Sequence, residues 1–192
     1  MRYIAYCLLF TVLSCSTVQA PEKPPVVVTP VVVKSSFPNQ EWTDIAYKAI
    51  ASSKLASATP RDLKDFCPGK DSATSFTVLM AAMAKYESNY NPNTEYRENF
   101  KDVKGNYIIS TGLMQISAES SKAYGCPVTG QAWLKDPKNN LECSVKILEK
   151  WIVNDGVITG KSGSKWLGVA RYFSVLRYKV NEIKAVMKPY CR

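Results

Sequence analysis

The chain has 192 residues and a formal charge of +9, from 25 Lys and Arg against 16 Asp and Glu, and it contains no His. The missing imidazole excludes Ser-His-Asp and Cys-His nucleophile sets in their usual forms, together with every His-ligated metal site. The basic excess favours contact with anionic polymers, but the Lys residues are spread along the chain, so solvated faces explain most of them and nucleic acid is not an expected partner.

Arg2 precedes an apolar run from Tyr3 to Leu13, long enough for the core of an export signal and too short to span a bilayer. Residues 1–20 read as a signal peptide, and losing Arg2 with it takes the charge from +9 to +8. Two processing points compete. Val18-Gln19-Ala20 offers small residues to an ordinary signal peptidase, whereas Val12-Leu13-Ser14-Cys15 resembles a bacterial lipoprotein box. Pro21 hinders cutting after Ala20, so the reading favours Cys15, whose acylated thiol would hold the chain on a membrane. The expected location is the periplasm or cell envelope, as an outer-membrane lipoprotein, with plain secretion as the alternative.

Residues 21–39 are dominated by Pro and Val, as in Pro24-Pro25-Val26-Val27-Val28-Thr29-Pro30. Repeated Pro blocks helices and sheet interiors, which predicts a semi-rigid spacer; an edge strand is the alternative.

Residues 40–192 read as one mostly helical domain, long enough for a single core. Trp42, Ile45, Ala46 and Ile50 mark a first amphipathic helix, and Thr59-Pro60 opens a short second one that stops at Pro68-Gly69. Phe76, Met80, Met83 and Glu87 follow in steps of four, three and four, so they share one face of a third. The last member of that apolar stripe is an acid, close to Asn91-Pro92, where Pro resists further helix. Burial and the negative end of the helix dipole both disfavour its anion. Glu87 is therefore expected to stay protonated near neutral pH and to be able to donate a proton to a leaving oxygen.

The stretch between Pro92 and Gly112 is charged, and Lys104-Gly105-Asn106 reads as a turn between two extended halves. It offers Glu95, Glu98 and Asp102 as candidates for a second carboxylate. Beyond Gly112-Leu113-Met114-Gln115-Ile116, a helix follows Asp136-Pro137, with Leu141, Val145, Leu148 and Ile152 on one face. Asn139 or Asn140 is its expected cap and Asn154-Asp155-Gly156 its stop. Trp166, Val169, Ala170 and Phe173 predict another helix, followed by one carrying Val180, Ile183, Val186 and Met187.

Cys67, Cys126, Cys143 and Cys191 remain after the leader, too scattered for a Cys-x-x-Cys zinc pair, and no Gly-rich phosphate loop occurs. Neither metal nor cofactor is expected. In an oxidising compartment two disulfides are the default, with three pairings open. Cys126 and Cys143 bracket a turn-rich segment leading into a helix, which pairs them and leaves Cys67 with Cys191.

Four fragments, in this order and spacing over residues 60–180, resemble the catalytic domain of the soluble lytic transglycosylases and the related goose-type lysozymes. They are Glu87-Ser88 continued by Asn89-Tyr90-Asn91-Pro92, then Gly112 to Ile116, then Asp136-Pro137-Lys138-Asn139-Asn140, and finally Ala170-Arg171-Tyr172-Phe173-Ser174. The resemblance implies a mainly α, lysozyme-like α (α+β) domain carrying a small extended hairpin insertion. It implies peptidoglycan glycan strands as substrate, cut at the β-1,4 bond from N-acetylmuramic acid to N-acetylglucosamine, with Glu87 as general acid. In the transglycosylase version Glu87 then takes the proton of the muramic acid C6 hydroxyl, and the ring closes to a 1,6-anhydro product. Hydrolysis by inversion would instead need a second carboxylate to activate water.

Ser88, Ser110, Met114, Gln115 and Tyr172 match family positions that line the sugar cleft: Ser110 and Gln115 as hydrogen-bonding groups, Met114 and Tyr172 as apolar wall. The chain departs from the pattern in its longer, charged 93–111 segment and in Phe173, which stands where the family has Asn. Arg177, chosen from the residues alone, is a candidate for a substrate carboxylate. The expectation is a lytic transglycosylase; a hydrolytic muramidase and a non-catalytic peptidoglycan-binding protein are the alternatives.

Overall fold

The computed structural model describes residues 34–192, so the leader, Cys15 and most of the Pro/Val segment lie outside the described residues. Helix α1 (Gln40–Ala51) starts where the Asn39 side chain accepts the Glu41 N–H at 2.8 Å, and it buries Thr43, Ala46 and Ile50. Packing begins earlier than that. Phe37, inside the stretch read as spacer, is only 3% exposed and meets Trp42 and Tyr90 edge-on.

After a 3-10 turn at Lys54–Ser57 and the single-turn α2 (Leu63–Phe66) comes α3 (Ser72–Ser88), the centre of the core. The Asp71 carboxylate caps it, accepting the Thr74 N–H at 2.9 Å and the Thr74 hydroxyl at 2.7 Å. Every residue from Ser75 to Ala84 is buried, because α1 and the C-terminal helices pack around it. The apolar stripe ending at Glu87 is thus one side of a helix enclosed all round. What stops α3 is Asn89, in the left-handed region at φ 51°, whose N–H returns to the Lys85 carbonyl. Asn tolerates that conformation, so the helix ends before Pro92 is reached.

Strands β1 (Glu95–Lys101), β2 (Tyr107–Thr111) and β3 (Ile116–Ser117) form an antiparallel sheet in that order. Tyr96 lies opposite Ser110 and Arg97 opposite Ile109, with an irregularity before Lys101 pairs with Tyr107. Helix α4 (Ala118–Ala123) and a 3-10 turn at Gln131–Lys135 lead to α5 (Pro137–Asp155). The cap of α5 is Asp136, which accepts the Asn139 N–H at 3.1 Å, and not Asn139 or Asn140. Pro137 explains the shift: it has no N–H to lose and suits the first helical position, so the cap must precede it. Gly156 closes the helix at φ 64°.

The helix expected over Trp166–Phe173 is instead a hairpin followed by a turn. Strands β4 (Thr159–Ser162) and β5 (Lys165–Gly168) pair, Trp166 lying opposite Lys161. Gly168 sits at φ 62° against the Val157 and Ile158 carbonyls, where a Cβ would collide, and a helix cannot run through it. A 3-10 turn at Val169–Arg171 follows, then α6 (Val175–Tyr178) and α7 (Val180–Met187).

Disulfides join Cys126 to Cys143 and Cys67 to Cys191, with Cα separations of 5.7 and 5.0 Å. The shorter loop, with its sequence separation of 17, contributes about 3 kcal/mol on chain-entropy grounds. The longer bridge ties the C terminus to the end of α2. Among the described residues no helix is long and apolar enough to cross a membrane.

Candidate active site

A cleft of about 700 Å³ opens where the end of α3, the β1–β2 hairpin, the β3–α4 corner and the segment after β5 meet. Its central acid is Glu87, in the last turn of α3 and half-buried. Desolvation of its carboxyl is the larger effect and the negative charge of Glu98 the second; together they push its pKa up to about 8. A carboxyl in that state is protonated at neutral pH and can donate a proton.

Glu98 faces Glu87 from β1. Ser110, on β2, donates its hydroxyl to Glu98 Oε1 at 2.6 Å. That bond orients the Glu98 carboxyl at the cleft. Glu95 also borders the cleft but pairs with Lys135 at 3.1 Å. Asp102 is absent from the lining: its carboxylate accepts the Lys104 and Asn106 N–H groups, both at 2.8 Å, and closes the hairpin turn. Asp102 is therefore a turn residue, the ordinary local use of an Asp before Lys-Gly-Asn.

Of the five residues expected to line the cleft, Ser110, Gln115 and Tyr172 do so, and Ser88 and Met114 do not. Ser88 is buried and donates to the Leu113 carbonyl at 2.9 Å, fastening the 111–115 loop onto α3. Met114 is fully buried in the core, and its N–H is held by Asn140 Oδ1 at 2.9 Å. Gln115 adopts φ 45°; its Nε2 donates to the Thr94 and Gly112 carbonyls at 3.0 and 2.8 Å. Its Oε1 is buried and finds no protein partner, although Gln115 borders the cleft.

Tyr172 meets Phe173 at 4.7 Å and Tyr124 at 5.7 Å, and burial above all pushes its phenol up to about 12, so it stays neutral. Phe173 is 2% exposed and supports Tyr172 from the core side. Arg177 borders the cleft, but its Nε and Nη2 donate to the Ala170 and Arg171 carbonyls at 2.6 and 2.7 Å. It is chiefly a clamp on the turn that carries Tyr172.

Two contributions escape sequence reasoning. Asn140, 0% exposed on α5, binds Met114 N–H and donates to the Thr111 and Leu134 carbonyls at 2.9 and 3.0 Å. Gly112, at φ 84°, lies so close to it that any Cβ would strike the Asn140 amide. The Asp-Pro-x-x-Asn signal pointed at Asn140 without showing that it holds a loop some thirty residues away in the chain. The second is Tyr96 and Phe100, which border the cleft from β1 on either side of Glu98. Among the described residues no group of three or more Cys, Asp or Glu could hold a metal ion.

A buried helix ending in an acid over a small sheet is a lysozyme-like arrangement, and comparison with known proteins narrows it. Residues 70–166 match the Transglycosylase SLT domain family. Solved structures of Bd0314 DslA are similar as well. The wild-type form 2 superposes with a TM-score of 0.73 at 34% identity, covering 80% of this chain and 92% of that one. Two DslA variants, each with one Glu-to-Gln substitution, superpose at 0.73 and 0.71 with the same identity and coverage. No curated protein matches. The chain belongs to the transglycosylase SLT domain family, a lytic transglycosylase-like group that acts on peptidoglycan in the cell envelope. Its two disulfides fit an exported protein.

Proposed function

We propose that this protein cuts the β-1,4 bond between N-acetylmuramic acid and N-acetylglucosamine, with Glu87 as general acid and Glu98 as the carboxylate that activates water. The observation that carries the reading is Glu98, held by Ser110 on the cleft face with its charge acting on Glu87. Ring closure to an anhydro sugar needs one carboxyl; an acid and an anion facing each other are what hydrolysis requires. The two substituted glutamates of the DslA variants are eleven residues apart, as are Glu87 and Glu98.

In this scheme Glu87 gives its proton to the leaving O4 as the C1–O4 bond breaks. Water attacks C1 and loses a proton to Glu98, leaving a reducing muramic acid end. Solvent then returns Glu87 to its acid form and Glu98 to its anion. Burial of its carboxyl favours protonated Glu87 before transfer. Export through the leader, with an acyl anchor at Cys15, would bring the domain to its polymer.

Membership of the transglycosylase family supports a second reading, in which Glu87 alone acts as acid and then as base toward the C6 hydroxyl. Mass spectrometry of muropeptides released from peptidoglycan sacculi separates the two. Reducing muramic acid ends, lost with Glu87→Gln and with Glu98→Gln, are expected. Products one water lighter, formed equally well by Glu98→Gln, would establish transglycosylation instead. Sacculi left intact by the wild-type protein would transfer the weight to a binding role.

A further inference from the structure

We propose that Tyr96 and Phe100 form an aromatic platform along β1 on which sugar rings of the glycan strand stack on both sides of Glu98. The proposal rests on the cleft being a glycan site and adds to it the residues that grip the polymer.

The hairpin exposes its aromatic rings to very different degrees of use. Tyr107, on β2, is covered by cations: the Arg97 guanidinium lies 3.6 Å from its ring centre and the Lys101 ammonium 4.7 Å. Tyr96 and Phe100 are 60% and 56% exposed, and among the described residues neither ring meets another ring or a cation. Large aromatic side chains left open to water at such levels cost solubility and favour a ligand. Both border the cleft.

Their placement follows from strand geometry. Side chains alternate across a strand, so Tyr96, Glu98 and Ser110 share the face that looks into the cleft, as the Ser110–Glu98 bond requires. The irregularity between Arg97 and Lys101 interrupts the pairing where Phe100 stands, and such irregularities re-aim side chains at sheet edges. Tyr96 precedes Glu98 by two residues and Phe100 follows it by two, so a polymer laid over Glu98 along the strand would meet one ring on each side. Glu98 lies between them, and the bond to be cut would lie above it.

The chemistry fits a saccharide in particular. The faces of a β-linked pyranose carry axial C–H bonds and pack on aromatic rings, while its equatorial hydroxyl and amide groups point sideways toward polar partners. A rigid aromatic surface also binds with little loss of side-chain freedom.

The test uses the mature chain with Glu87→Gln, so that binding is read without cleavage, and titrates a pentamer of N-acetylglucosamine and peptide-free glycan strands by calorimetry. Tyr96→Ala and Phe100→Ala should each weaken Kd about five- to tenfold, and the pair together more than either alone. Tyr96→Trp and Phe100→Tyr should restore binding, and Tm should stay within a degree or two, since neither ring belongs to the core. On the wild-type background KM should rise while kcat changes less than twofold. Kd within twofold for both alanine variants overturns the platform while leaving the catalytic reading intact. So does a change of oligomeric state without loss of glycan binding, which would make this face a protein contact. If the parent binds no glycan and the wild type cuts none, the catalytic reading and the platform fall together.

Discussion

Glu87 and Glu98 reach one cleft from regions built in opposite ways. Glu87 rides on α3, which is enclosed on all sides from Ser75 to Ala84, and its position is set by the packing of that helix in the core. Glu98 rides on a hairpin whose β1 strand is almost wholly exposed and whose local order comes from pairing with β2, the Ser110 bond, the Glu95–Lys135 ion pair, the cations over Tyr107 and the Asp102-closed turn. The difference teaches how one residue type acquires two roles. The rigid, apolar setting raises the pKa of Glu87, and the open, polar one places a second carboxyl group at the same cleft.

The sharpest way to break the comparison is to neutralise each acid in turn. Glu87→Gln should lower turnover on sacculi by about 10³-fold or more with an unchanged circular dichroism spectrum, because in the proposed scheme Glu87 is the group that protonates the leaving oxygen. Glu98→Gln should lower it by about 10²-fold, and should also move the alkaline limb of the pH profile downward. Glu87 must be protonated, so activity falls as pH rises through about 8; removing the Glu98 charge removes one of the two causes of that elevation. An alkaline limb that stays in place in Glu98→Gln would mean that the two acids do not sense each other.

Asn140→Ala tests the frame rather than the acids. It strands the Met114 N–H and the Thr111 and Leu134 carbonyls in the interior, and should cost about 3 kcal/mol in urea unfolding. A smaller consequence sharpens the contrast from the side of stability. The folded pKa of Glu87 lies above its unfolded value of 4.5, so the folded state favours the proton, and stability is lost as pH rises between 4.5 and about 8. Glu87→Gln removes that loss: Tm should rise at pH 8, by about 2–4 °C for each kcal/mol recovered, and stay level at pH 4. Smallest of all, Asp102→Ala should change turnover less than twofold, since its oxygens are occupied with the turn. A large loss there would restore it as a candidate for the second carboxylate.

Much of the frame was legible where local rules and burial agree. Phe76, Met80 and Met83 gave the direction of α3 and the acid at its end, and Lys104-Gly105-Asn106 marked the hairpin. Reading failed where a backbone constraint outranked periodicity. Trp166, Val169 and Phe173 keep helical spacing, yet Gly168 packs against two carbonyls and turns the first of them into strand. Met114 and Ser88 failed for another reason. Both lie beside the motif residues that do line the cleft, but the loop's path, pinned by Asn140 and by Ser88 itself, sends their side chains inward.

The amino-acid pattern by itself determined a central helix ending in an acid, a charged hairpin after it, and a chain without imidazole chemistry, since composition and short-range periodicity are properties of neighbours in sequence. Only the tertiary structure decided which of Glu95, Glu98 and Asp102 stands opposite Glu87. All three carboxylates are alike in sequence, and what separates them is the ion pair with Lys135, the hydroxyl of Ser110 and the turn N–H groups that each one finds once β1 has paired with β2.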